Sequence, residues 1–156
     1  IGKGGHAGIV RHRTQCGSSS IPNMPTPPDL ERLTPAAVTA VAQAHTATVL
    51  CPTCRPYASP GWESFPASQD GTALQPLGAL WLPGDDEPTL EESRLSGVDA
   101  WSPLAPISLA HHPANRCEVW ACRACGKPFL RYTEYGGYYE DRRIRELDPC
   151  RIQGQP

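Results

Sequence analysis

Phenylalanine and methionine are scarce in this chain. One methionine and two phenylalanines stand among 156 residues, so only a modest core can form and much of the chain must run as loop. No apolar run approaches the roughly eighteen residues that a membrane-spanning helix needs, which excludes a helical span. A formal charge of −2 argues against a surface built to track phosphates. Catalytic signatures are missing too. The chain has no HExxH, no GxSxG and no paired-carboxylate motif, and Cys51-Pro52-Thr53-Cys54 lacks both the preceding proline and the HxE of a zinc deaminase. The sequence therefore points away from an enzyme.

Cysteine, proline and glycine are plentiful. Eighteen prolines and fourteen glycines reinforce the loop-rich reading and make a staple valuable. Among seven cysteines, Cys51/Cys54 and Cys122/Cys125 form two CxxC pairs. Thiolates at that spacing can turn onto one ion at about 2.3 Å, and two such pairs close a Cys₄ zinc site. Gly126 follows the second pair, where a sharp turn often needs positive φ; Arg55 takes the equivalent place after the first, which makes it the weaker knuckle. The alternatives are disulfides, which belong to secreted chains, and a redox dithiol, which needs one pair opening a helix in a βαβ setting. Without an evident leader, seven cysteines imply a reducing cytoplasm and Zn²⁺ as a structural cofactor.

Residues 1–23 carry Gly-rich and Ser-rich stretches and are expected to be a disordered extension, with Met24 as the start. Residues 24–150 are expected to form a single domain and 151–156 a flexible tail. A turn is predicted over residues 30–33. Thr34-Pro35 predicts a helix running to about His45, with Ala37, Val38, Val41 and Ala42 on its apolar face; His45 reads as a terminal histidine. Residues 47–50 read as a strand delivering the first knuckle, and Trp62 and Phe65 as anchors of the loop that follows. Residues 77–82 read as a buried strand, residues 83–86 as a turn, and residues 85–100 as an acidic loop or short helix. Strands are predicted over 118–121 and 129–135, flanking the second knuckle, with Gly136-Gly137 as a hairpin turn and residues 138–140 starting the return strand. Ile144 and Leu147 form an i, i+3 apolar pair in the closing charged segment.

Two surfaces stand out as partner-binding candidates. One is acidic and contains Asp85, Asp86, Glu87, Glu91 and Glu92; the other holds Tyr135, Tyr138, Tyr139, Arg142 and Arg143. Tyrosine and arginine suit nucleic-acid stacking, but interleaved carboxylates favour a protein interface, where both residue types act as hot spots. His111, His112, Cys117 and Cys150 are conceivable ligands of a second metal, although adjacent histidines on extended chain point to opposite sides.

Strand, knuckle, strand and glycine turn around Cys122 and Cys125 resemble half of a zinc ribbon, in which two CxxC knuckles grip one Zn²⁺. The match covers the two knuckles and the hairpin, and carries the ligand role onto Cys51, Cys54, Cys122 and Cys125. The long stretch between the pairs departs from that pattern. The resemblance implies an α+β fold: a small loop-rich single domain with a zinc-ribbon-like antiparallel β core and one or two short helices. In general character the chain is also similar to small bacterial proteins of toxin-immunity type. That implies a non-catalytic protein that binds a protein partner, such as a basic nuclease toxin domain. A nucleic-acid-associated ribbon and a metal-dependent enzyme are the alternatives.

Overall fold

The computed structural model describes residues 29–45, 49–94 and 97–153. The expected N-terminal extension, with Met24, lies outside the described residues. Among the described residues one helix, α1 (Pro35–Ala44), precedes five strands: β1 (Glu63–Ser64), β2 (Leu74–Ala79), β3 (Glu118–Cys122), β4 (Pro128–Tyr135) and β5 (Glu140–Glu146). Single 3₁₀ turns lie at Arg55–Tyr57, Ala114–Arg116 and Pro149–Arg151. The strands form one antiparallel sheet in the order β1-β5-β4-β3-β2. This is an α+β, loop-rich architecture.

Helix α1 starts where its cap predicts, because Thr34 accepts a hydrogen bond from the Ala37 amide through its side chain and Pro35 has no N–H to leave unpaired. Its buried residues are Val38 and Ala42. They join an apolar cluster on one face of the sheet with Val119, Leu130, Tyr132 and Ile107. The second cluster is on the opposite face: Tyr57, Phe65, Leu74, Phe129 and Ile144 surround Cys54 and Cys122. Strand alternation makes the division, since Leu130 and Tyr132 of β4 point one way and Phe129 and Arg131 the other. Trp62 and Phe65 are buried anchors, as their positions in the loop predict.

Several local expectations give way to long-range pairing. Residues 30–33 are extended rather than turned: Arg32 forms a parallel bridge with Ala79, and the Leu33 amide donates to the Ala79 carbonyl at 2.8 Å. The expected strand at 47–50 falls partly outside the described residues, and Val49 and Leu50 are not in a strand. Strand β2 lies earlier than 77–82 and includes Pro76, which stands at an edge strand beside a register shift between Pro76 and Gly78, where a missing N–H is tolerated. Segment 85–100 contains no helix among its described residues. The return strand begins at Glu140, and Ile144 belongs to that strand rather than to a helical turn with Leu147. Full pairing with β4 outweighs the i, i+3 spacing. At the C-terminal end, Ile152 bridges Ile107 and the Gln153 amide donates to the Ile107 carbonyl at 3.0 Å, so these residues are held by the fold.

Gly78 shows why the first residues of the described chain can lie across β2. Its φ is +154°, and a Cβ there would sit 2.6 Å from both the Glu31 carbonyl oxygen and Leu33 Cγ. Gly78→Ala should therefore cost about 1–3 kcal/mol, the usual range for forcing extra volume into a filled site. Urea denaturation of the variant against wild type measures it; an unchanged midpoint would show that residues 31–33 do not lie on β2 in solution.

Candidate metal centre

The first knuckle is a turn closed on Cys51. The amides of Cys54 and Arg55 both donate to its carbonyl, at 3.2 and 2.9 Å. Arg55 then opens a 3₁₀ turn instead of taking positive φ, a region that only glycines occupy among the described residues. This 3₁₀ turn brings Tyr57 into the core, with its ring 5.3 Å from Phe65 and 6.2 Å from Phe129. The second knuckle connects β3 to β4. The Gly126 amide donates to the Cys122 carbonyl at 2.8 Å, with Gly126 at φ 78°, and the Cys122 amide donates to the Lys127 carbonyl at 2.9 Å. Arg123 pins the knuckle to the turn that precedes the edge strand: its amide reaches the Ala73 carbonyl and its Nε the Thr72 carbonyl, both at 2.9 Å.

These two turns bring four sulfurs together. Sγ–Sγ distances are 3.5 Å for Cys51–Cys54 and 3.7 Å for both Cys51–Cys122 and Cys54–Cys125, and all four lie within 4.8 Å of one another. A tetrahedron of sulfurs at 2.3 Å from its centre has edges of about 3.8 Å, so the set has the dimensions of a four-thiolate metal site. No pair is at the roughly 2.05 Å of a disulfide, and all four cysteines are free. A redox dithiol would need only two of them.

Electrostatics favour a cation here. The backbone N–H of Cys54 is the main cause that lowers the Cys51 thiol to about 6, so this sulfur is readily available as thiolate. Burial pushes the thiols of Cys54 and Cys122 upward, because buried negative charge without a counter-ion is costly. A divalent ion at the centre would supply that counter-charge and allow all four to ionise. The set fits a metal ion, and an all-sulfur shell suits a thiophilic one.

The conceivable second site does not assemble among the described residues. His111 Nδ1 bonds Ser108 Oγ at 2.7 Å, while the His112 ring lies edge-on to Tyr132 at 5.9 Å. Cys117 is fully buried and donates its thiol to the Pro113 carbonyl at 3.2 Å; Cys150 is exposed. The two partner-binding candidates fare differently. Asp85 pairs with Arg32 and accepts from the Leu82 amide at 2.8 Å, and Glu87 pairs with Arg116 at 3.0 Å. Glu92 bridges His112 through its backbone, and its charge also favours the protonated His112 ring. Tyr135, Tyr138 and Tyr139 are exposed, whereas Arg143 is drawn to Glu134 and Asp141, at 3.0 Å each. The structure unites parts of both sets: Glu87, Tyr135 and Arg142 line one open cleft of about 740 Å³ with Trp81 and Arg131.

Sequence reading missed Tyr57 and Phe129 as the floor of the metal centre. The signal for Phe129 was its position just beyond the knuckle; Tyr57 had none, because its 3₁₀ turn depends on tertiary packing. His45 stands at the C-cap of α1, a terminal histidine as its position predicts, and its ring approaches the second knuckle, with Cδ2 4.0 Å from where a Gly126 Cβ would lie. Comparison with protein-family models, curated proteins and solved structures finds no match for this chain. Among the described residues, no helix is long and apolar enough to cross a membrane.

Proposed function

We propose that this is a zinc-ribbon-like, non-catalytic protein in which one structural Zn²⁺, held by Cys51, Cys54, Cys122 and Cys125, fixes the hairpin that binds a protein partner. The observation carrying this reading is the convergence of four sulfurs within 4.8 Å, from two knuckles far apart in sequence. Four thiolates close a zinc coordination shell and leave no open position for chemistry. Free thiols suit a reducing cytoplasm.

Recognition is assigned to the β4–β5 end. Tyr138 is fully exposed and Tyr135 is 76% exposed, and tyrosines offer large contact area at low entropic cost. An immunity-type role against a basic nuclease draws on the acidic loop, where Asp86, Glu91 and Glu92 make no ion pair among the described residues. Pairing of Asp85 and Glu87 within the fold shifts the contact energy toward the hairpin. A second reading, association with nucleic acid, is favoured by Arg131, whose guanidinium lies 4.1 Å from the Trp120 ring centroid and makes no ion pair among the described residues.

Two measurements test this. Elemental analysis of the protein purified without added metal should return one zinc per chain; iron or no metal would overturn the zinc assignment. Tyr135→Ala with Tyr138→Ala should then leave stability within about 0.5 kcal/mol. Its dissociation from the protein encoded by the neighbouring gene should quicken at least tenfold, a loss of about 1.4 kcal/mol. Unchanged dissociation would remove the hairpin from the interface, and salt-sensitive retention on single-stranded nucleic acid would favour the second reading.

A further inference from the structure

Strand β5 places Arg143 and Arg145 on the same face of the sheet. Arg143 has two carboxylate partners. Arg145 is 1% exposed and has none among the described residues. Its Nη2 donates to the Ala105 carbonyl and its Nε has no partner. The nearest acidic residues in sequence make their direct contacts elsewhere, although the charge of Asp148 still favours the protonated guanidinium. Glu146, on the other face, holds Lys127 at 3.1 Å and the Ser59 amide at 3.1 Å; Asp148 accepts from the Cys150 amide at 2.9 Å and faces Arg151 at 3.8 Å. Cys117 is no counter-ion, because complete burial keeps its thiol neutral. An unpaired buried guanidinium is among the costliest groups a fold can hold.

Arg145 lines a small cavity of about 20 Å³, together with His112, Ser93 and Ser108. No acidic side chain lines it among the described residues. His112 brings a second unpartnered buried atom, Nδ1, which donates when its tautomer carries the proton there. Each serine hydroxyl already makes one bond, Ser93 to Gln153 and Ser108 to His111, and retains capacity for another. The volume of about 20 Å³ exceeds the roughly 10–15 Å³ that one water needs, which leaves room for a halide or a planar formate but not for a tetrahedral sulfate. We propose that this cavity is an anion site, holding one monovalent anion of chloride or formate size against Arg145 Nε and His112 Nδ1. A water would accept the same hydrogen bonds but add no charge beside the guanidinium, which Asp148 favours only from beyond ion-pair distance; an anion meets both demands.

The test uses the full chain with its metal in place. Thermal melts at fixed pH and ionic strength would exchange sodium gluconate for chloride, bromide or formate. The expected result is a saturable rise in melting temperature with at least one of the small anions, none with sulfate, and an anomalous bromide peak within hydrogen-bonding distance of Arg145 Nε. A halide response alone assigns the site to halide, and a formate response alone to a small carboxylate. Arg145→Met should abolish the saturable rise. If that variant does not fold, His112→Leu should weaken half-saturation at least tenfold. Equal melting curves in chloride, formate and gluconate, or a bromide-soaked crystal with only water in the cavity, would overturn the proposal.

Discussion

Cys122→Ser is expected to leave the chain without its metal and largely unfolded at room temperature. Cys122 ends β3, pairs with Leu74 of β2, and is 1% exposed within the apolar cluster that contains Cys54. A serine there is a poor zinc ligand and a buried hydroxyl at once. Structural zinc contributes about 10–16 kcal/mol in small finger peptides, against a total stability of about 5–15 kcal/mol for ordinary domains. Loss of one ligand should thus remove most of the stability of a loop-rich chain. Metal content by mass spectrometry and near-ultraviolet circular dichroism would report both losses. Cys117→Ser is the matched control: it is equally buried but bonded to Pro113, away from the four sulfurs. It should retain the metal. If Cys122→Ser keeps one metal per chain and a cooperative melt, the four-sulfur assignment fails.

Phe129→Ala should destabilise the protein by about 3–5 kcal/mol, the cost typical of deleting a buried aromatic ring. Phe129 has 0% exposure, and its β4 position places it just past the second knuckle and opposite Trp120. Across the face it meets Tyr57, which the first knuckle delivers. One ring therefore supports both halves of the metal centre. Because folding and metal binding are coupled, the variant should also lose zinc at a lower chelator concentration than wild type. Urea denaturation and chelator titration, run side by side, measure the two effects. A fall in stability with unchanged resistance to chelator would show that the knuckles hold their geometry without this floor.

Local chemistry was legible wherever the interacting atoms are near in sequence. The CxxC spacings named the four cysteines that converge into a candidate metal site, Thr34-Pro35 marked the start of α1, and the alternation after Gly126 marked β4. The glycines after Tyr135 marked the turn into β5. These signals depend on a few bonds of chain and survive any tertiary context. The acidic segment was harder to read, because its charges depend on distant partners: Asp85 is met by Arg32 and Glu87 by Arg116.

The sequence alone therefore determined the donor set, the hairpin that carries half of it, and the loop-rich α+β character. Tertiary structure decided where β2 begins, why Pro76 can stand in it, and that residues 31–33 cross Gly78. It also decided that the closing charged segment is a strand and that Arg145 is buried. The convergence of Cys51 and Cys54 onto Cys122 and Cys125 is of the same kind. Spacing says which thiols can share an ion, but only the packing of Tyr57 against Phe129 and the pairing of β2 with β3 bring the two knuckles together. Antiparallel register and the choice of buried face are collective properties of the sheet, set by contacts between residues far apart in the chain.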